Sequence, residues 1–328
     1  MSLGFLVFNL LIIIGFIYII RSKKKVFIIY LLLVFVFVLL MRNDPKGVDF
    51  VEYYRYLHNV DGIRYYREFV YFSIGLLVYK VVHSEILTFI LMDFLWLYAL
   101  LSIQKEVNKR FNTEDYSLFV VLFTSFPLFF GYENIYRQLF AEIFSLYAYS
   151  IREQKGFKSN LFFLMAVFMH NTALLMLPFL IIKKFFKFNF KFRVFIATSV
   201  SLVFSSLLTI ASHYKSGHET GLDMSIFYLA IFYCLIYIYL IKNKFNMFKV
   251  IFKFPSLYIS AILLTALFML PLGMITERLG MFFLIFVMYD LYIYTYSMSK
   301  YKQILLRIGL LLLFSLPVVV FNSSKIML

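Results

Sequence analysis

Residues 3–25 read LGFLVFNLLIIIGFIYIIRSKKK, an uncharged apolar run that ends in a cluster of positive charge. A stretch of this length and composition is what an α-helix needs to cross the hydrocarbon core of a bilayer. The pattern recurs along the chain, since 63% of its 328 residues are hydrophobic and only 15% are charged. A soluble domain carries about 25% charged residues. The composition therefore predicts an integral membrane protein and excludes a soluble globule.

Ten segments are apolar over about 15 to 20 residues, and each is predicted to cross the membrane as a helix. They are 3–20, 26–41, 86–103, 116–130, 135–151, 194–211, 224–241, 254–272, 280–298 and 303–321. Two further apolar segments are harder to assign, because 69–82 is short and contains Lys80, and 156–182 is interrupted near His170. We expect an all-α polytopic helical bundle that forms a single transmembrane domain over 1–328, with about ten crossing helices plus two re-entrant or short membrane segments.

The basic clusters between these segments indicate the orientation of the chain. If 69–82 and 156–182 each enter and leave on one face, 22 of the 32 Lys and Arg residues share one side of the membrane in six clusters. If both segments cross fully, only 17 do. Since Lys and Arg accumulate in cytoplasmic loops, the first arrangement is preferred, with a re-entrant hairpin over 156–182. The six clusters are 21–25, 105–110, 152–158, 183–193, 242–253 and 300–307. The net charge of +15 is then a topology signal, and we expect no nucleic-acid partner.

In this arrangement the extracytoplasmic loop 42–68 carries polar residues that could meet a ligand. Apolar residues recur every third position in its middle, which predicts an interfacial helix over 48–60 with Asp49 and Tyr53 on another face. Tyrosines can stack on sugar rings. An aromatic belt with exposed salt bridges is the other interpretation of the same residues.

Arg137 and Gln138 begin an apolar helix at the outer boundary. A guanidinium group there is well suited to gripping a phosphate with two parallel hydrogen bonds. The alternative is an ion pair on the helix surface with Glu133, four residues earlier. Position alone does not separate these interpretations.

His170 lies at the break in the segment 156–182. A helix over 158–169 would rise about 18 Å from the cytoplasmic face, at 1.5 Å per residue. This puts His170 past the middle of the bilayer, in a cavity open to the outside. The half-helix that follows, with Asn171 or Thr172 as its N-cap, would point free N–H groups at an anion. A structural hydrogen bond is the other interpretation of this histidine.

Glu277 and Arg278 open a later span on the same outer side, and Arg278 supplies a second outward guanidinium group. The sequence contains no P-loop, no G-x-S-x-G, no H-E-x-x-H and no spacing typical of metal ligands. We therefore expect no metal site and no cofactor.

Three short motifs follow one another along the chain. They are GVDFVEY at 47–53, of the pattern G-x-D-x-x-x-Y; RQLFA at 137–141, of the pattern R-Q-x-x-A; and FMHNTA at 168–173, close to F-x-H-x-S-A with Thr172 at the usual serine position. In this order and spacing they resemble the EpsG family of bacterial exopolysaccharide proteins, which belongs with the Wzy class of oligosaccharide repeat-unit polymerases.

The resemblance implies a multi-pass protein of the bacterial cytoplasmic membrane whose active site faces outside. It would act as a metal-independent glycosyltransferase on oligosaccharides linked to undecaprenyl pyrophosphate, joining repeat units of a capsule or exopolysaccharide and releasing the lipid pyrophosphate. A chain-length regulator and a flippase would be its partners, besides the bilayer. The catalytic residues would be His170, Arg137 and Arg278. The substrate-binding residues would be Asp49, Tyr53, Gln138, Asn171, Thr172 and Glu277.

Two other classes compete with a polymerase. A transporter, such as a flippase for the same lipid-linked sugar, also uses broken helices and polar groups inside the membrane. It should show internal repeats and polar residues accessible from both faces, and neither is visible in the sequence. A membrane O-acyltransferase also uses a membrane histidine, but no second catalytic partner for it can be identified.

The topology can be tested by labelling single cysteines. Cys234→Ser removes the only cysteine of the chain. In that background we expect Lys109→Cys and Lys155→Cys to react with a membrane-impermeant maleimide only from the cytoplasmic side, because both lie in clusters assigned there. Labelling of both positions only from outside would overturn the re-entrant arrangement.

Overall fold

A computed structural model describes residues 3–43, 53–54, 56–58, 65–183, 188–212, 223–270 and 273–320. All regular structure in these ranges is helical, as predicted. The helices are α1 (Leu3–Arg21), α2 (Lys24–Asn43), α3 (Tyr65–Val82), α4 (Glu85–Phe111), α5 (Ser117–Phe123), α6 (Phe126–Asn134), α7 (Tyr136–Ile151), α8 (Gly156–Met169), a 3₁₀ helix (Asn171–Met176), α9 (Leu177–Ile182), α10 (Phe190–Ser212), α11 (Asp223–Lys242), α12 (Met247–Lys253), α13 (Pro255–Phe268), α14 (Gly273–Thr295) and α15 (Lys300–Val320).

The all-α polytopic fold class is confirmed, but the count of ten crossing helices is not. Six of the described helices contain a stretch that is long and apolar enough to cross a membrane, and a seventh is added if α11 and α12 are counted as one bent span. The six stretches are Leu3–Arg21, Lys24–Asn43, Glu85–Phe111, Phe190–Leu207, Arg278–Thr295 and Lys300–Val320.

The three remaining spans of the prediction are shorter or broken. The segment 116–130 is divided between α5 and α6, because Pro127 lies in the first turn of α6, the helical position where a missing N–H is tolerated. The segment 135–151 forms α7, with only 16 residues, and 254–272 contains α13, with 14 residues beginning at Pro255. A proline at a helix start therefore accounts for the division of 116–130, whereas α13 is shorter than predicted because it ends at Phe268.

The two ambiguous segments are both helical. The segment 69–82 lies within α3, and 156–182 is interrupted at His170, where α8 ends and the 3₁₀ helix begins. Only residues 53–54 and 56–58 of the predicted interfacial helix 48–60 are described, and these are helical. The rest of that helix, including Asp49, lies outside the described residues.

The contacts of the chain group it into two units. The first comprises Met1–Ile151, Ser159–Ala173 and Thr295–Leu328, and the second comprises Arg152–Lys158 and Leu174–Tyr294. The halves of the expected re-entrant hairpin belong to different units. The hairpin and the single domain over 1–328 therefore stay predictions.

A buried ion pair lies at the centre of the first unit. Arg42, near the end of α2, donates from Nε and Nη2 to the two carboxylate oxygens of Asp93 in α4, at 2.6 and 2.9 Å, and both side chains are fully buried. Asp93 also accepts hydrogen bonds from Trp96 Nε1 at 2.9 Å, Tyr132 Oη at 3.2 Å and Tyr136 Oη at 2.5 Å. A buried charge needs this degree of compensation. The network ties α2, α4, α6 and α7 together.

A second buried pair joins α15 to the connection between α4 and α5. Arg307 is ion-paired with Asp115, and its Nε donates to Thr295 Oγ1 at 3.1 Å. Asp115 also accepts from the backbone N–H and the hydroxyl of Ser117, at 3.0 and 2.9 Å. The same carboxylate thus starts α5 and holds the last helix of the first unit.

The second unit is built around α14, most of whose described side chains are buried. Asp290 in this helix lies 3.5 Å from Lys183 Nζ and accepts a hydrogen bond from the backbone N–H of Ser256 at 3.0 Å. Phe179 of α9 packs on the rings of Phe283 and Phe286. A charge-assisted contact and apolar packing therefore both fasten other segments to α14.

We predict that Asp93→Ala destabilises the detergent-purified protein by about 3–5 kcal/mol, because it leaves the buried Arg42 guanidinium without its carboxylate. The matched control is Lys109→Ala. Its ammonium is 71% exposed and lies 4.0 Å from Glu106, so we expect a change of no more than about 0.5 kcal/mol. Thermal unfolding followed by size-exclusion fluorescence would measure both. Equal melting temperatures for the two variants would contradict the structural role of Asp93.

Candidate functional site

Glu68, Arg137 and His170 meet in the first unit and form the cluster that we call the Glu68 triad. Arg137 Nη1 is paired with Glu68 Oε2, and His170 Nε2 lies 3.1 Å from Glu68 Oε1. The side chains are 12%, 29% and 17% exposed for Glu68, Arg137 and His170, respectively. One carboxylate therefore bridges a guanidinium and an imidazole, with a different oxygen facing each.

Each member of the triad comes from an interruption in a helix. Glu68 has non-helical dihedral angles, φ −143° and ψ 38°, and kinks α3 near its start. The helix α7 begins directly after the non-helical Ile135, and Arg137 is its second residue. His170 follows the last residue of α8. Contact between the rings of Phe69 and Phe168, 5.0 Å apart, holds the kink of α3 beside the end of α8. Side chains at helix breaks can converge in a way that positions along straight parallel helices cannot.

The hydrogen bonds of His170 fix which nitrogen faces the carboxylate. The backbone N–H of Thr172 donates to His170 Nδ1 at 3.2 Å, and the Thr172 hydroxyl lies 2.8 Å from the same nitrogen. An Nδ1 that accepts a hydrogen bond carries no proton, so a neutral His170 carries its proton on Nε2, facing Glu68. His170 thus presents a hydrogen-bond donor to the carboxylate.

The same contacts change the expected role of the half-helix that follows. Its first turn is 3₁₀, and the N–H groups of Thr172 and Ala173 are engaged with His170, the latter through the backbone oxygen at 3.0 Å. Asn171 is exposed. An anion near this turn would therefore meet the His170 side chain before it met these two N–H groups.

Aromatic rings surround Arg137. Its guanidinium carbon lies 5.3 Å from the ring centroid of Tyr53 and 5.7 Å from that of Phe72, and Tyr53 is buried. Tyr71 packs against Tyr53 at 6.2 Å and has a buried hydroxyl without a hydrogen-bond partner in the described part of the chain. The predicted substrate residue Tyr53 is therefore next to the predicted catalytic residue Arg137.

The remaining predicted site residues are located as follows. Gln138 is half-buried beside Arg137, and its buried Oε1 has no hydrogen-bond partner among the described residues. Arg278 is exposed in α14 of the second unit, and the side chain of Glu277 lies outside what the structure describes. The structure thus brings together Arg137, His170, Tyr53 and Thr172, and Gln138 follows Arg137 in the chain.

No group of three or more His, Cys, Asp or Glu side chains in the described ranges could hold a metal ion. That the protein needs no metal stays a prediction. What the triad offers is a cation, an imidazole N–H donor and a carboxylate, a combination suited to an anionic group and to proton transfer.

Glu68 is the member of the triad that the sequence did not single out, because it was one of several acids in the loop 42–68. Its signal is positional: it is the last charged residue before the apolar segment 69–82, on the same predicted side as Arg137. Asp93 is a lone acid inside an apolar span, and such a group demands a partner. Its partner, Arg42, is 51 residues away.

The sequence model of the EpsG family matches residues 27–326, which include Arg42, Glu68, Arg137 and His170. No curated protein and no solved structure matches the chain significantly. The match extends over nearly the whole length, including the helices that carry the triad. The chain therefore belongs to the EpsG family, the family of Wzy-type polymerases in exopolysaccharide synthesis.

Proposed function

We propose that the protein joins oligosaccharide repeat units carried on undecaprenyl pyrophosphate, on the extracytoplasmic face of the bacterial cytoplasmic membrane, and releases the lipid pyrophosphate. Family membership supports a polysaccharide polymerase of the Wzy type. The observation that carries the specific chemistry is that the Glu68 carboxylate bridges Arg137 and His170.

An anion already lies between Arg137 and His170, because the Glu68 carboxylate faces both. Two oxygens of a phosphate can meet the same pair of donors, and a guanidinium group matches phosphate as well as it matches carboxylate. We assign Arg137 and His170 to the pyrophosphate of the donor. In this role His170 donates from Nε2, in agreement with its contacts to Thr172.

The reaction needs a place for one proton. The acceptor hydroxyl oxygen bonds to the anomeric carbon of the donor while the bond from that carbon to the pyrophosphate oxygen breaks, and the pyrophosphate leaves with the bonding electron pair. We assign the hydroxyl proton to Glu68. When the pyrophosphate draws Arg137 and His170 away from Glu68, the carboxylate loses two neighbours that stabilise its charge. Glu68 is then a stronger base than it is in the triad.

Aromatic rings beside the triad fit the sugar part of the substrate. Tyr53, Tyr71 and Phe72 lie around Arg137, and flat rings next to a phosphate-binding side chain can stack on a sugar. Gln138, with its unpartnered Oε1, would accept a hydrogen bond from a sugar hydroxyl.

Other assignments rest on the family resemblance. Arg278 is proposed to contact the pyrophosphate, Glu277 another part of the substrate and Asp49 the acceptor sugar. Asn171 and Thr172, in the first turn after the break, are proposed to face the donor. A chain-length regulator and a flippase are proposed as partners, and the reaction as independent of metals.

Deleting the gene in its native cell separates a polymerase from a flippase. We expect long polymer to disappear and single lipid-linked repeat units to accumulate facing outside, because export precedes joining. Chemical labelling of glycans in intact and in opened cells would locate the accumulated units. Accumulation on the cytoplasmic side would contradict the polymerase and favour transport of the same lipid.

Substitutions in the triad test its roles in the polymerase. Arg137→Ala is expected to lower the rate of joining by about 10²–10³-fold through lost stabilisation of the leaving pyrophosphate. Glu68→Gln and His170→Ala should each lower it by about 10²–10⁴-fold, through loss of the proton acceptor and of a donor to the pyrophosphate. Polymer length on gels and joining of purified lipid-linked units in proteoliposomes would measure the effects.

Arg21→Ala is the matched control, since Arg21 is exposed in the same unit and lies outside the triad. It should retain normal polymer. All variants are to be compared at equal membrane abundance. Wild-type rates in both Arg137→Ala and Glu68→Gln would sink the assignment of the site, whereas the family-level activity would still be judged by the gene deletion.

A further inference from the structure

A groove of about 590 Å³ lies in the second unit, where the start of α10 meets α12. Its volume falls within the roughly 300–1,000 Å³ that is usual for small-molecule sites. The side chains that matter are three lysines and three phenylalanines: Lys191, Lys249, Lys253, Phe190, Phe248 and Phe252. We call it the Lys-Phe groove. It involves no residue of the Glu68 triad.

The groove lies at the ends of two long apolar helices, α10 and α11. The crossing stretch of α10 begins at Phe190, and α11 ends at Lys242. The chain then turns by 118° into α12, through Lys244 and Phe245, which both have positive φ angles of 52° and 59°. A seven-residue helix after a turn of this size would not continue the direction of α11, and a place near the boundary between lipid and water would suit it.

The side chains of α12 divide into three groups. Val250 and Ile251 are buried against the second unit. Phe248 and Phe252, four residues apart, are 52% and 71% exposed. The lysines, also four residues apart, form a third, exposed row. An apolar row beside a basic row is the arrangement of a helix that lies in the headgroup region of a membrane.

The side-chain oxygens of two asparagines in the lining accept hydrogen bonds from backbone N–H groups at the starts of α10 and α12. Asn189 Oδ1 accepts from the backbone N–H of Phe192 at 2.8 Å, and Asn246 Oδ1 accepts from that of Lys249 at 3.1 Å. The polar groups left for a ligand are therefore the three ammonium groups, of which that of Lys253 also lies 5.4 Å from the ring centroid of Tyr294.

The lysines lie close together without an acid in the described lining of the groove. Lys249 and Lys253 have the spacing at which like charges repel on a helix. Lys191 extends over α12, with its Nζ 5.6 Å from the ring centroid of Phe248. An anion in the groove would relieve this repulsion, and a phosphate group would offer several oxygens to three ammonium groups.

We propose that the Lys-Phe groove binds the phosphate group of an anionic lipid headgroup. The lysines meet the phosphate, and the exposed rings of Phe248 and Phe252 pack on the glycerol and the upper acyl chain. A free phosphate would use the lysines alone and would leave these two rings in water, so the lipid is the occupant that matches both rows.

The test is an equilibrium titration of the detergent-purified full chain with short-chain lipids kept below their micelle concentration. Dihexanoyl-phosphatidylglycerol is the anionic probe and dihexanoyl-phosphatidylcholine the neutral one. We expect Lys191→Gln/Lys249→Gln/Lys253→Gln to weaken the binding of phosphatidylglycerol by about a hundredfold, since each lysine near a membrane surface contributes roughly fivefold. The corresponding triple Lys→Arg variant should bind like the wild type.

The matched control removes three exposed lysines from another cluster, Lys23→Gln/Lys24→Gln/Lys25→Gln. It should bind phosphatidylglycerol like the wild type. An equal loss in the two triple Gln variants, or equal binding of the neutral and anionic lipids, would overturn the proposal. Inorganic pyrophosphate serves as the free-phosphate probe. Tight binding of pyrophosphate together with no binding of phosphatidylglycerol would reject a lipid as the occupant.

Discussion

The buried pair of Arg42 and Asp93 is the constraint on which the candidate site depends. Asp93 accepts two hydrogen bonds from Arg42 and one from the hydroxyl of Tyr136, the residue directly before Arg137. The Arg42 guanidinium carbon also lies 3.9 and 4.6 Å from the ring centroids of Tyr132 and Tyr136. Because the Tyr136 hydroxyl is bonded to Asp93, the first residue of α7 is fixed. The direction in which the side chain of Arg137 extends from the helix is fixed with it. The buried ion pair and the candidate cluster are thus neighbours through the consecutive residues Tyr136 and Arg137.

The two clusters differ in how much water reaches them. Arg42 and Asp93 are both fully buried, whereas the members of the Glu68 triad are each 12–29% exposed. A fully buried pair whose carboxylate also accepts hydrogen bonds from Trp96, Tyr132 and Tyr136 has a structural task, since no ligand can reach it. A partly exposed pair can exchange its partner for an incoming anion. Exposure, more than residue type, separates the two roles.

Sequence reasoning reached the fold class and two members of the triad. The membrane class follows from composition, and Arg137 and His170 stood out because ionisable groups are rare in apolar surroundings. The sequence does not single out Glu68, because the position of its side chain depends on a kink of α3 that no local sequence pattern predicts. Hydropathy averages over Pro127 and therefore predicts one span over 116–130, whereas the structure begins a new helix there. The pairing of Arg42 with Asp93 joins residues 51 positions apart, and a single sequence carries no signal for a contact at that distance.

The presence of Glu68 between Arg137 and His170 bears on what the site can accept. A ligand that binds these two side chains must compete with a carboxylate that is covalently part of the protein and already in place. A neutral sugar hydroxyl cannot displace it, because the exchange would replace a charge-assisted contact by a weaker neutral one. A pyrophosphate carries more negative charge than a carboxylate and more oxygens to share between the guanidinium and the imidazole. On the proposed mechanism, the triad would therefore open for the lipid-linked donor and stay closed to free sugars, and the base would be released only once the leaving group is in place.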